Sequence, residues 1–143
     1  QRLVARRKRL LPGGKTALRS YGSMTYAGLL ALIYAQVDAQ DARVQSAKDW
    51  ASRHWTLDEN PGMGAEGLYY FFNVLTKSLA AAGDETLALP DGRTVVWREE
   101  VVRKLLALQR PDGSWFNDNN RWWEADPNLV TAYTLLALAT ALD

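Results

Sequence analysis

The chain has 143 residues, of which 48% are hydrophobic and six are tryptophan, and its net charge is +1. This length and composition are sufficient for one domain with a hydrophobic core and exclude a disordered chain. There is no cysteine and one histidine, so disulfides, thiolate metal sites, thiol catalysis and multi-histidine metal sites are excluded. No apolar run reaches the about 20 residues that span a bilayer, and the sequence therefore predicts no transmembrane segment.

The charge is distributed unevenly along the chain. Residues 1–20 carry seven basic side chains and no acidic one, whereas the remainder carries ten basic and sixteen acidic side chains. We interpret residues 1–20 as a basic arm or linker and residues 21–143 as the folded domain. A solvated linker, or an arm lying on the acidic domain, is favoured over a nucleic-acid site because no aromatic residues interrupt the basic cluster. An anionic membrane surface is the alternative partner for the arm.

A helical pattern begins at Ser23, which we expect to be an N-cap. Apolar residues follow at the three-and-four spacing of one buried stripe. This stripe comprises Met24, Ala27, Leu30, Ala31 and Tyr34. A second amphipathic helix is predicted from an N-cap at Asp41 to about His54. Its inward residues are predicted to be Val44, Ala47, Trp50 and Ala51.

A loop rich in glycine and proline, residues 56–67, separates the second helix from a third. The third helix is predicted over about 65–82 and ends at Gly83. Bulky residues cover nearly all of its faces, so we expect other elements to surround it. A Pro-Asp-Gly turn at 90–92 lies between two short apolar stretches and predicts a small β-hairpin.

Two further helices complete the predicted elements. The fourth runs from about Trp97 to Leu108. The fifth runs to the C-terminus and begins at Asp126 as N-cap, with Pro127 at the first helical position. The end of the fifth helix resembles the first one, because residues 131–138, TAYTLLAL, can be aligned with residues 25–32, TYAGLLAL. Apolar helices thus alternate with charged amphipathic ones, which predicts an all-α repeat protein of two layers.

The turn after the fourth helix carries the most specific motif. Residues 109–115 read QRPDGSW, and Gln109, Gly113 and Trp115 match the pattern Gln-x-x-x-Gly-x-Trp. This pattern is the QW repeat of squalene–hopene and oxidosqualene cyclases. The chain resembles the terpenoid cyclase and protein prenyltransferase group, especially bacterial prenyltransferase/squalene oxidase repeat proteins. The segments SYGSMTYAGL, WTLDENPGMG and RWWEADPNLVTAYTLLAL are similar to that bacterial type.

The resemblance implies an α/α toroid, in which inner and outer helices alternate around a central cavity. In that family the QW glutamine ties the turn to a neighbouring outer helix and the tryptophan packs over it. A closed ring needs about six helical hairpins, whereas five predicted helices make only two and a half. We therefore expect residues 21–143 to be the C-terminal portion of a ring whose N-terminal half is a further segment or another chain.

The resemblance leaves the reaction open. The sequence lacks the Asp-x-Asp-Asp run of class II terpene cyclases and the cysteine of the prenyltransferase zinc site, so no metal or cofactor is implied. Glu124 and Asp58 are the candidate catalytic acids, and neighbouring rings would remove Glu124 from water. The alternative for Glu124 is a solvated carboxylate or one paired with Arg121. Asp126 is interpreted as a helix cap.

Aromatic side chains are the candidate lining of a substrate cavity, because each ring face stabilises a cation by about 0.5–2 kcal/mol and offers apolar surface. The candidate substrate-binding residues are Tyr26, Tyr69, Tyr70, Trp122, Trp123 and Tyr133. The alternative is that these rings belong to the core. The resemblance implies that an isoprenoid, such as a squalene-like compound, is bound or transformed. A non-catalytic binding or scaffolding module is the alternative, and bacterial cytoplasm and periplasm fit equally well.

Overall fold

The computed structural model describes the backbone of Lys8–Leu10 and Thr16–Leu18 and all residues from 20 to 143. Strands β1 (Lys8–Leu10) and β2 (Thr16–Leu18) pair antiparallel, with Lys8 opposite Leu18. Residues 1–7, 11–15 and 19, which also belong to the predicted basic arm, lie outside the described residues.

Five α-helices account for most of the described part of the chain, so the predicted all-α class is confirmed. The helices are α1 (Gly22–Tyr34), α2 (Ala42–Arg53), α3 (Leu68–Ala82), α4 (Trp97–Ala107) and α5 (Pro127–Leu142). Between α3 and α4, strands β3 (Leu87–Ala88) and β4 (Thr94–Val95) form the predicted hairpin, with Leu87 opposite Val95.

Local capping signals are confirmed at three helix ends. The Asp41 side chain accepts a hydrogen bond of 2.8 Å from the Arg43 backbone N–H at the start of α2. At the start of α5, Asp126 accepts one of 2.9 Å from the Asn128 N–H. Gly83 ends α3 in the left-handed conformation, with φ of 69°, which glycine adopts without steric cost.

The predicted buried stripe of α1 is wrong. Met24 and Tyr34 are 47% and 72% exposed, whereas Tyr26 and Leu29 are buried. The helix contains no charged side chain, so polarity along its sequence does not distinguish the face that packs from the face that does not. Contact with α3 determines which face of α1 is buried. The Ser78 hydroxyl of α3 donates a hydrogen bond of 2.6 Å to the Tyr26 carbonyl on that face.

Ser23 is not the N-cap of α1, because the helix begins at Gly22. The N-terminal end of α1 is capped instead by the loop that precedes α3. In this loop, the Asn60 side-chain oxygen accepts a hydrogen bond of 3.0 Å from the Ser23 N–H. The Gly22 N–H also donates to the Pro61 carbonyl at 2.8 Å. A Cβ atom at Gly22 would lie 2.5 Å from Pro61, so this approach requires glycine.

Helix α3 lies at the centre of the packing. It contacts α1 on one side and α5 on the other, while α2 packs on α1 and α4 packs on α5. The core side chains of α3 are nearly inaccessible to solvent, as predicted for a surrounded helix. They include Phe71, Phe72, Leu75 and Leu79. The apolar helices α1, α3 and α5 therefore form one row, and the charged helices α2 and α4 pack against it.

Trp115 of the QW motif joins two helices. Its side chain is buried, and its indole N–H donates a hydrogen bond of 2.7 Å to the Leu105 carbonyl in the last turn of α4. Its backbone N–H donates to the Thr131 hydroxyl of α5 at 3.2 Å. Trp115 thus satisfies a carbonyl at a helix end, where intrahelical partners run out.

Gln109 closes the turn that carries Trp115. Its side-chain N–H donates a hydrogen bond of 3.0 Å to the Gly113 carbonyl, and Gly113 itself has a φ of 85°. The bond that the structure records for Gln109 therefore lies within the turn. The tie to a neighbouring outer helix, which the resemblance implies, stays a prediction.

We predict that Trp115→Phe lowers the free energy of unfolding by about 1–2 kcal/mol, because it removes one buried hydrogen bond and part of a buried ring. Urea unfolding followed by circular dichroism measures the change. The control is Trp123→Phe, since Trp123 is largely exposed. Equal midpoints for Trp115→Phe and the unsubstituted chain would contradict the role given to the indole.

Candidate functional site

A pocket of about 560 Å³ opens between the N-terminal ends of α1, α3 and α5. Its wall is mainly aromatic and apolar. The apolar wall comprises Tyr21, Met24, Met63, Tyr70, Trp122, Trp123, Leu129 and Tyr133. Polar groups are contributed by Ser23, Asn60, Glu66 and Glu124. Pockets of this size and composition are typical of small-molecule sites, which measure about 300–1,000 Å³.

Glu124 forms part of the wall of this pocket and is fully buried. One carboxylate oxygen accepts a hydrogen bond of 2.8 Å from the Tyr70 backbone N–H, and the other accepts one of 3.2 Å from the Tyr69 N–H. The Asn117 side chain donates a third bond of 2.7 Å. Because Tyr69 and Tyr70 lie in the first turn of α3, Glu124 caps the N-terminus of this helix. The partial positive charge of a helix N-terminus favours an anion at this position.

The cap fixes the segment that precedes it. Trp122 and Trp123 have φ of 65° and 60°, a left-handed conformation that bulky residues rarely adopt and that costs of order 1–3 kcal/mol per residue. The turn is closed by a hydrogen bond of 3.2 Å from the Trp123 N–H to the Asn120 carbonyl. Glu124 directly follows this turn and is anchored to α3, so the two indoles are held at the pocket.

The two tryptophans remain accessible at the pocket. Trp122 is 49% exposed and Trp123 is 74% exposed. The Arg121 guanidinium lies 4.7 Å from the centre of the Trp122 ring, which is a cation–π distance. Exposed indoles beside a pocket can contact a ligand without first breaking core packing.

Tyr70 and Tyr133 form the opposing aromatic pair. Their ring centres are 5.9 Å apart and the rings meet edge to face at 62°, an arrangement that aromatic pairs prefer. Burial, then the negative charge of Glu124, raises the pKa of Tyr133. The phenol of Tyr133 is therefore a neutral group in the pocket wall.

Two of the six candidate substrate-binding residues lie in the core instead of the pocket wall. Tyr26 and Tyr69 are almost completely buried, and Tyr69 meets Phe72 edge to face at 5.8 Å. Burial raises the pKa of Tyr26. Burial and, to a smaller extent, the charge of Glu124 raise the pKa of Tyr69. The structure thus places Tyr70, Trp122, Trp123 and Tyr133 together in the pocket wall and places Tyr26 and Tyr69 in the core.

The structure places Asp58 on a different surface from Glu124. Its side chain is 88% exposed and forms an ion pair of 2.7 Å with Lys104 of α4. The hydrogen bond and charge of Lys104 lower the pKa of Asp58. Asp58 borders a polar cleft together with Trp55 and Glu100. The two candidate catalytic acids are therefore not brought to one site.

Sequence reasoning missed the contribution of the loop before α3. Asn60 is buried, and its amide N–H group donates to the Ser23 hydroxyl at 3.2 Å and to the Glu66 carbonyl at 3.0 Å. These bonds hold the loop against α1 and place Met63 in the pocket wall. The Asn-Pro-Gly turn at 60–62 was a usable signal, because asparagine before proline favours a fixed turn.

In the described part of the chain, no three or more His, Cys, Asp or Glu residues lie close enough together to hold a metal ion. The described helices include none that is long and apolar enough to cross a membrane. No protein-family model, curated protein or solved structure matches the chain.

We predict that Glu124→Gln lowers the free energy of unfolding by about 2–4 kcal/mol, because the amide N–H₂ replaces one carboxylate oxygen and would face one or two of the three N–H donors in a buried place. Chemical unfolding at neutral pH measures the loss. The matched control is Glu59→Gln, which removes the same charge from an exposed loop position. An unchanged stability for Glu124→Gln would contradict the capping role and restore Glu124 as an acid free to act in the pocket.

We also predict that stability decreases as the pH rises above about 10, the ordinary pKa of tyrosine. Tyr26 has a raised pKa in the folded chain, so above pH 10 the unfolded chain loses a proton that the folded chain keeps, and unfolding is favoured. Urea unfolding between pH 9 and 11 measures the slope. Tyr26→Phe should flatten it more than Tyr34→Phe, and equal slopes in both variants would contradict the assignment.

Proposed function

We propose that the aromatic pocket binds an isoprenoid or a similar apolar small molecule. The observation that carries this proposal is the convergence of Tyr70, Trp122, Trp123 and Tyr133 on one pocket of about 560 Å³. These rings come from α3, from the turn before α5 and from α5 itself. Together with Met24 they offer the large apolar surface that a branched hydrocarbon chain requires.

The arrangement of the acids favours binding over catalysis. A general acid must donate a proton within hydrogen-bond reach of its substrate, whereas Glu124 accepts three hydrogen bonds from protein groups. Asp126 caps α5, and Asp58 pairs with Lys104 on another surface. The non-catalytic binding module is therefore the form of the proposal that we favour. A cyclase or prenyltransferase-like reaction is the second form.

The proposal extends to membership of the α/α-toroid group. It is supported by the row of apolar helices α1, α3 and α5, by the charged helices packed against it, and by the buried indole of Trp115. Exposed apolar side chains on α5, namely Leu135, Leu136 and Leu142, support contact with further helices. In this proposal, those helices belong to another segment or another chain and complete the ring.

The test is calorimetric titration of the chain with geraniol, a soluble ten-carbon isoprenoid alcohol, with 1-decanol as the unbranched comparison. We expect geraniol to bind more tightly than decanol. Trp123→Ala should weaken geraniol binding roughly tenfold, because truncating an aromatic anchor commonly costs 1–2 kcal/mol. The control is Tyr34→Ala, since Tyr34 is equally exposed but lies at the other end of α1. No heat of binding, or equal effects of both variants, would contradict the proposal.

A further inference from the structure

The charged side chains that line the aromatic pocket are both acidic. Glu66 and Glu124 contribute to its wall, and no lysine or arginine does so among the described residues. We infer that the ligand of this pocket carries a positive charge, as an amine or a quaternary ammonium group attached to an apolar chain. The apolar part of this ligand rests on the proposed function. The cationic part rests on the charge of Glu124 and on the ring faces of the wall.

Among the described residues, no cationic side chain pairs with Glu124. Its three hydrogen-bond donors are the backbone N–H groups of Tyr69 and Tyr70 and the amide of Asn117. The N-terminus of α3 supplies only about half of a positive charge. In the low dielectric of the interior, the remaining negative field extends to neighbouring groups. Burial is the largest cause of the raised pKa values of Tyr69 and Tyr133, and the negative charge of Glu124 is the next.

Ring faces add a second attraction for a cation. The face of an indole or phenol ring carries partial negative charge, and quaternary ammonium groups bind to clusters of such faces. Arg121 already places its guanidinium over Trp122 at 4.7 Å, although Arg121 is not part of the pocket wall. Trp123, which is more exposed, and the Tyr70–Tyr133 pair provide the further rings of the wall.

The same features disfavour an anionic ligand. Phosphate groups are bound in proteins by arginine, lysine, metal ions or free backbone N–H groups. The N–H groups of Tyr69 and Tyr70 at the start of α3 are already occupied by Glu124. A diphosphate in this pocket would therefore meet a carboxylate at the position where a helix end could otherwise bind it. This inference therefore excludes an isoprenoid diphosphate as the ligand of the pocket and favours an isoprenoid amine.

The test compares ligands that share one chain and differ in the head group. Geranyltrimethylammonium, geraniol and geranyl diphosphate are titrated into the full chain by calorimetry at fixed ionic strength. Decyltrimethylammonium and tetramethylammonium separate the contribution of the head group from that of the branched chain. We expect geranyltrimethylammonium to bind roughly tenfold more tightly than geraniol, as one or two desolvated cation–π contacts would provide. No binding of the diphosphate is expected.

A substitution tests where the cation is recognised. Trp123→Leu should reduce the ratio of the ammonium to the alcohol affinity about threefold, because it removes one ring face from the pocket wall and keeps an apolar side chain there. The matched control is Tyr34→Leu, which removes an exposed ring at the other end of α1 and should leave the ratio unchanged. Equal ratios in both variants would contradict recognition of the cation in this pocket.

The outcomes distinguish this inference from the proposed function. If geraniol binds and the ammonium compound binds no more tightly, or if the diphosphate binds best, the inference is wrong and the isoprenoid proposal stands. If geranyltrimethylammonium and decyltrimethylammonium bind equally well and geraniol does not bind, the inference stands and the isoprenoid proposal is wrong. If none of the probes binds at saturating concentration, both are wrong.

Discussion

A buried carboxylate at the N-terminus of the central helix is the constraint on which the site depends. Burial of a charged group is costly unless hydrogen bonds compensate for the lost water. Glu124 obtains three of them, two from the first turn of α3 and one from Asn117. In return, α3 gains acceptors for N–H groups that have no partner within the helix. The helix and the carboxylate therefore stabilise each other, and neither is satisfied without the other.

The pocket follows from this connection. Because Glu124 is fixed to α3, the left-handed turn of Trp122 and Trp123 that precedes it must lie beside the start of that helix. The same fixed point brings α5 close enough for Tyr133 to meet Tyr70. Backbone strain at the two indoles is tolerated because the surrounding bonds determine the turn. Glu124, which the sequence indicated as a candidate catalytic acid, thus has a structural role in the wall of the site.

The sequence predicted the elements better than their contacts. The cap at Asp126 and the end of α3 at Gly83 depend on residues close in the chain, so local signals were sufficient. The packing face of α1 could not be predicted, because Met24 and Tyr26 are both apolar and only α3 distinguishes them. The bonds of Glu124 join residues that are more than fifty positions apart, and no local pattern encodes such a pairing.

The most direct test of this account is a crystal structure of the chain with geranyltrimethylammonium bound. The account predicts the ammonium group against the rings of Tyr70, Trp123 and Tyr133, with the Glu124 carboxylate still bonded to the N–H groups of Tyr69 and Tyr70. Density for the ligand at another surface would contradict it. So would a Glu124 side chain that leaves α3 and turns into the pocket, because the carboxylate would then be free for chemistry.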